Sequence, residues 1–183
     1  MIILEGPDNA GKTTLGVRLQ RDLVVALVHS PKPNPERTPD QALAKSNSQL
    51  LPDRHILDRV YVISEWVYGP ICRGGSALDN RHSKALECLL NQEHLIIYCR
   101  PPTQVILRNN GREQMDGVLE NHERIIQKYD EIMEELPRYG NCQVIEYDWT
   151  DITHYPTLLG KCKKYLHKTD QIRQSAFYLG AKR

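Results

Sequence analysis

No stretch of this sequence approaches the roughly 20 consecutive apolar residues that a bilayer-spanning helix requires, so a membrane partner is not expected. Nor is there an excess of either charge. Lys and Arg number 24 against 23 Asp and Glu, a net charge of +1, which supplies no global field for a polyanion such as DNA. Nucleic acid is therefore not an expected partner, and any phosphate site must be built locally. The five cysteines, Cys72, Cys88, Cys99, Cys142 and Cys162, are odd in number and widely spaced, with no C-x-x-C pair. That pattern excludes a disulfide framework and predicts reduced thiols. His29, His55, His82, His94, His122, His154 and His167 are scattered singly, without the ligand spacing of a structural zinc site. There is no internal repeat and no low-complexity segment. The opening MIILEG lacks the basic flank and cleavage site of a secretory signal, so the expected location is cytoplasmic.

What is present is the composition of an ordinary globular protein: 183 residues, 40% hydrophobic and 26% charged, enough for one domain over residues 1–183. Met1 to Glu5 reads as a buried strand, and Leu15, Leu19, Leu23 and Val24 carry helix periodicity after it. Ala26 to Ser30 reads as a second strand. Pro31, Pro33, Pro35 and Pro39 then disfavour regular structure until about Asp40, which predicts a short loop crossing. Continuous apolar runs at Arg54 to Asp58 and His94 to Cys99 suit a sheet covered on both faces, and Gln143 to Tyr147 supplies a fifth strand. Helices are expected over Ile63 to Tyr68, Asp79 to Asn91, Thr103 to Asn109, Leu119 to Leu136 and Tyr155 to Leu166. Strands alternating with helices predict an α/β fold with a five-stranded parallel sheet and helices on both faces. Lys168 to Arg183 is a surplus tail, expected to fray or pack on the surface.

Gly6, Gly11, Lys12 and Thr13 satisfy G-x-x-x-x-G-K-S/T between an apolar strand and a helix, the context that marks a working phosphate-binding P-loop. The glycines let successive N–H groups turn toward phosphate oxygens, and the helix N-terminus adds its positive dipole end. Gly6, Asn9, Ala10, Gly11, Lys12, Thr13 and Thr14 are thus the candidate ATP contacts. Lys12 would bridge the β- and γ-phosphates and the Thr13 hydroxyl would ligate Mg2+.

The rest of the chain selects among P-loop proteins. No D-x-x-G follows the third strand and no N-K-x-D appears later, which disfavours a GTPase. The strand His94 to Cys99 ends in cysteine rather than a catalytic acid, which disfavours a motor ATPase. The third strand instead ends in Asp58-Arg59, placing a carboxylate beside the magnesium and a guanidinium where an acceptor phosphate can be gripped by two bonds. Arg108 and Arg112 bracket the glycine-containing segment Asn109 to Gly117, the composition of a mobile lid over about residues 108–118. A lid that delivers arginines and expels water would stabilise charge on the transferring phosphoryl group.

The loop Glu5-Gly6-Pro7-Asp8-Asn9-Ala10-Gly11-Lys12-Thr13-Thr14 is similar to the E-G-x-D-G-x-G-K-S/T-T loop of the thymidylate kinase family. Asp58-Arg59, with Ser64 and Tyr68-Gly69, resembles that family's D-R-Y-x-x-S-x-x-A-Y-Q element. The resemblance covers residues 1 to about 150. It implies that Asp8 meets the acceptor's sugar 3′-hydroxyl, that Arg59 holds its phosphate and that Asp58 joins the magnesium shell. With no arginine at positions 7 to 10, it implies the style in which lid arginines, here Arg108 and Arg112, are catalytic. It also implies a homodimer. Val60 stands where the element has tyrosine and Gly69 where it has glutamine. The Pro-rich crossing stands where the family has a longer base-reading helical segment. Trp66, Tyr68 and Arg73 are then the candidates for stacking on or hydrogen-bonding the base. The compact size is like that of nucleotide kinases encoded by bacterial viruses.

The expected reaction is in-line transfer of the ATP γ-phosphoryl group to the 5′-phosphate of a deoxynucleoside monophosphate, dTMP or a related pyrimidine, with Lys12, Arg59, Arg108 and Arg112 as catalytic residues. One rival is a kinase of a hydroxyl, in a nucleoside or in a hydroxymethylpyrimidine within DNA, using Asp58 or Glu5 as base. Another is a non-catalytic nucleotide-binding protein.

Overall fold

The computed structural model describes residues 1–30, 34, 36–50, 55–108 and 115–180, with only the backbone described over 173–180. Five strands, β1 (Ile2–Glu5), β2 (Ala26–His29), β3 (His55–Asp58), β4 (Leu95–Cys99) and β5 (Gln143–Tyr147), form one sheet in the order β2-β3-β1-β4-β5. Every neighbouring pair is parallel. The central strand β1 pairs Leu4 with Asp58 on one side and Glu5 with Tyr98 on the other. The end of β1, which leads into the phosphate loop, is thereby set level with Asp58, the last residue of β3.

β1 and β4 are buried throughout, which accounts for their unbroken apolar sequences: both faces of a parallel sheet are covered. Alternation sorts their side chains into two cores. Ile3, Leu57, Ile96 and Tyr98 pack with the helices α3 (Tyr61–Cys72), α4 (His82–Leu90) and α6 (His122–Tyr139). Ile2, Leu4, Ile56, Leu95, Ile97 and Cys99 pack on the other face with α1 (Lys12–Leu23) and α7 (His154–Gly180). In α1 the buried Leu15, Leu19 and Leu23 recur every four residues, and the helix stops at left-handed Val24. In α6 the stripe Ile125, Ile126, Tyr129, Ile132, Met133 and Leu136 is wholly buried.

Three expectations require correction. The crossing between β2 and β3 contains a helix, α2 (Pro39–Gln49). Pro39 occupies its first turn, where a missing N–H costs nothing, and Thr38 forms a reciprocal capping box with Gln41; the proline that looked like a breaker is a helix start. The stretch from Asp79 begins as a separate 3₁₀ turn, Asp79–Arg81, before α4. The last helix, expected to end at Leu166, runs on as α7 to Gly180. The lid sequence falls mostly on residues 109–114, outside the described residues; α5 (Thr103–Arg108) leads into it.

Candidate active site

The loop from β1 to α1 turns on two glycines. Gly6 holds φ 142° and passes so close to β4 that a Cβ would sit 2.5 Å from the Cys99 carbonyl oxygen. Gly11, with φ 87°, is the N-cap of α1, which has no capping side chain and no acidic residue in its first turn. An uncapped N-terminus at a glycine loop is a ready anion site. Lys12 lies 7% exposed at its mouth, donating from Nζ to the carbonyls of Gly6 at 2.7 Å and Pro7 at 2.6 Å. Burial, and then the like charge of Arg59, lower its pKa.

Beside the loop, the Thr13 hydroxyl donates to Asp58 Oδ2 at 3.1 Å. The same carboxylate oxygen lies 3.0 Å from His29 Nδ1, at the end of β2. A hydroxyl and a carboxylate of this kind are hard oxygen donors suited to Mg2+, which usually takes one or two protein carboxylates and completes its shell with water and substrate phosphates. Among the described residues there is no cluster of three or more His, Cys, Asp or Glu able to cage a metal; Thr13 and Asp58 could hold one here only together with water and substrate phosphates.

The turn after β3 aims the next side chain across the loop. Arg59 has φ 74°, a left-handed conformation uncommon outside glycine. Its N–H donates to the Leu4 carbonyl at 3.0 Å and its Nη2 to Asp8 Oδ1 at 2.5 Å. The guanidinium lies 5.3 Å from the centre of the Tyr68 ring. Burial works against an ionised Asp8, but Arg59 and then Lys12 outweigh it and hold the carboxyl below its usual range. Under this pair lies Glu5, fully buried, accepting from Val60 N at 2.5 Å and from the Tyr129 hydroxyl at 3.3 Å. Burial pushes its pKa up to about 7, against the pull of Arg59, the Val60 amide and Lys12.

Lys12, Thr13, Asp8, Asp58, Arg59 and Tyr68 are therefore brought together. The remaining candidates are placed elsewhere or differently. Tyr68 is 2% exposed, so its ring supports Arg59 and does not lie open to a base. Trp66, half-buried, meets His82 edge-on at 6.0 Å. Arg73 is committed to the buried Glu65, with 2.7 Å to each carboxylate oxygen. Arg108 is exposed at the end of α5, and Arg112 lies outside the described residues. Of Asn9, Ala10 and Thr14, Ala10 is buried and donates to the Pro7 carbonyl at 3.3 Å, whereas Asn9 takes φ 66°.

The sequence reading missed His29, which carries no motif, and Trp149. The latter follows β5 by two residues, and its indole would be 2.9 Å from a Cβ on Gly11. An aromatic 42% exposed beside a phosphate loop offers a stacking face for a nucleobase.

The sheet order and the loop geometry define an α/β fold of the P-loop NTPase type. No family model matches the chain. A curated relative, the SPbeta prophage-derived uncharacterized protein YorR of Bacillus subtilis, is 24% identical over 152 residues, 81% of this chain and 87% of the relative. The crystal structure of YorR in complex with phosphorylated GDP superposes with a TM-score of 0.65 at 20% identity, over 94% of this chain and 97% of the other. Deoxyadenosine kinase from M. mycoides with bound dATP gives a TM-score of 0.58 at 17% identity, covering 88% and 98%. Thymidylate kinase from Candida albicans gives 0.57 at 13%, covering 92% and 91%. These solved neighbours include kinases of nucleosides and nucleotides, and at such identities the likeness establishes the fold.

Proposed function

We propose that this chain is a phosphotransferase that moves the γ-phosphoryl group of ATP to the 5′-phosphate of a deoxynucleoside monophosphate, of thymidylate or a related pyrimidine type. The observation that supports the reading is the Arg59–Asp8 pair at the mouth of the P-loop: by the resemblance, the guanidinium would hold an acceptor phosphate and the carboxylate would meet the sugar beside it. Thymidylate kinase and deoxyadenosine kinase among the structural neighbours support an acceptor drawn from deoxynucleotides or deoxynucleosides.

The chain's own residues would work by position and charge. The α1 N-terminus and Lys12 hold the donor phosphates, Thr13 and Asp58 hold Mg2+, and Arg59 sets the acceptor oxygen in line. Mg2+, when bound, neutralises charge on the β- and γ-phosphates. Trp149 supplies a face for the donor base. Arg108 and Arg112 are the lid residues for charge on the transferring group. A phosphate acceptor is already anionic and needs no strong base. The two carboxylates named as possible bases are both engaged, Glu5 being buried against Val60 and Tyr129 and Asp58 being held by Thr13 and His29. By resemblance the active form is a homodimer.

A second reading, transfer to a nucleoside 5′-hydroxyl, is favoured by the likeness to deoxyadenosine kinase. ADP release from ATP and Mg2+ with dTMP, dUMP, dCMP, dAMP, dGMP, thymidine and deoxyadenosine separates the two. Stimulation by one pyrimidine monophosphate is expected. Stimulation only by a nucleoside would transfer the assignment to the second reading, and no stimulation by any acceptor would remove both.

A further inference from the structure

Arg59 keeps its left-handed backbone, φ 74°, although such a conformation persists in a residue with a side chain only where its surroundings over-determine it. Its N–H is tied to Leu4 and its guanidinium to Asp8. The third tie is at its carbonyl, which accepts a hydrogen bond from the Ser30 hydroxyl. Ser30 follows β2, and its own N–H donates to the Asp58 carbonyl at 3.1 Å. Its hydroxyl oxygen accepts from Gln49 Nε2, on the last residue of α2, at 2.7 Å.

The direction of this chain of bonds is fixed by counting hydrogens. A hydroxyl carries one. Because Ser30 directs it at the Arg59 carbonyl, only a donor can face the Ser30 oxygen from the other side, so Gln49 must present its NH2. Its Oε1 is then left buried with no hydrogen-bond partner among the described residues. A glutamine held in an orientation that strands its own acceptor is held by something else, here the Ser30 hydroxyl.

We propose that Gln49 and Ser30 are positioning residues for Arg59: they lock its left-handed backbone through its carbonyl and couple the acceptor grip to the seating of α2. The proposal rests on the reading of Arg59 as the acceptor-phosphate residue. Neither Gln49 nor Ser30 reaches the reacting atoms. Ser30→Ala removes the bond to Arg59. Gln49→Glu keeps the shape but replaces the donor by an acceptor, so the Ser30 hydrogen turns away from Arg59. Gln49→Met removes the donor yet leaves Ser30 free to keep its bond. Ser30→Thr retains the hydroxyl.

The test combines kinetics with crystal structures of the variants. The acceptor is whichever of dTMP, dCMP, dAMP and dGMP the wild type turns over fastest. Ser30→Ala and Gln49→Glu are expected to raise the acceptor KM about tenfold with the ATP KM within about twofold, a loss confined to acceptor binding. Gln49→Met should have a smaller effect and Ser30→Thr should restore the wild-type value. In the Ser30→Ala crystal structure Arg59 should leave the left-handed region and part from Asp8. Arg59→Ala is the control. If that control weakens acceptor use while Ser30→Ala and Gln49→Glu keep wild-type KM values and an Arg59 φ near 74°, the positioning role is overturned. If Arg59→Ala leaves acceptor use intact, the acceptor-phosphate reading fails. The crystal structure of Ser30→Ala then decides the locking role alone, with an unmoved Arg59 overturning it.

Discussion

Arg59 Nη2 lies 2.5 Å from Asp8 Oδ1, joining a residue inside the phosphate loop to one that follows β3, with both side chains under a third exposed. β1 and β3 are hydrogen-bonded neighbours in register at Leu4 and Asp58, so the pair is a direct product of strand order. Arg59 balances Asp8, and Asp8 keeps Arg59 directed across the loop.

Removing the charge from Asp8 should therefore reach the acceptor and spare the donor. Asp8→Asn is expected to lower kcat/KM for the monophosphate about 10- to 100-fold, the equivalent of one charge-assisted hydrogen bond of about 1.5–3 kcal/mol. Arg59→Lys should not restore a wild-type rate, because an ammonium lacks the planar fork. Steady-state kinetics with each substrate varied in turn checks both; an ATP KM raised as much as the acceptor KM would place Asp8 on the donor side.

The two loop glycines should differ in their tolerance of a methyl group. At Gly6 the obstruction is a backbone carbonyl oxygen at 2.5 Å, which cannot move without bending β4. At Gly11 it is the edge of the Trp149 indole at 2.9 Å, a side chain partly open to solvent. Gly6→Ala is expected to cost about 3 kcal/mol or more and Gly11→Ala about 1 kcal/mol in urea unfolding. Equal losses would show that positive φ alone decides.

Glu5 gives stability a pH dependence of unusual sign for a carboxylate. Burial raises its pKa from 4.5 to about 7 in the folded chain, so the folded state binds more protons than the unfolded one between those values. Stability from this group is greatest below pH 4.5 and falls as pH rises through about 7. Glu5→Gln, which can still accept from Val60, should match the wild type at the acid end and exceed it by roughly 3 kcal/mol above neutrality. Chemical denaturation of both proteins across pH measures the difference; a gap that does not widen with pH would contradict the shift.

His94 contributes the opposite slope. It is 1% exposed, neither ring nitrogen has a hydrogen-bond partner among the described residues, and burial, then the N-terminal charge and His55, lower its pKa from 6.5 to about 4. Its unfolded form binds more protons in that window, so stability falls as pH drops from 6.5 toward 4. His94→Leu should flatten this part of the profile, and thermal unfolding at pH 4.5 and 7.5 reads it.

Much of this was legible in the sequence because the information is local. The run before Gly6 and the periodic leucines after Lys12 state a strand, a loop and a helix in contiguous residues, and Asp58-Arg59 ends an apolar run that sheet geometry sets beside the loop. What escaped is either compositional disguise or long-range contact. Pro39 looked like a breaker because prolines precede it, although Thr38 and Gln41 already spell a capping box. Tyr68 and Arg73 looked available to a base. Their partners, Arg59 for one and Glu65 for the other, are brought to them by the left-handed turn after β3 and by the C-terminal end of α3, which no periodicity announces. The link from Gln49 through Ser30 to Arg59 joins three segments that no motif connects.

The most direct test of the central claim follows the label from γ-³²P-ATP with Mg2+ in the presence of unlabelled dTMP, dCMP and thymidine, products being separated by thin-layer chromatography. Label is predicted in a deoxynucleoside diphosphate formed from a pyrimidine monophosphate, lost with Lys12→Ala. Label found only in a monophosphate formed from thymidine, or only in free phosphate, would contradict the account.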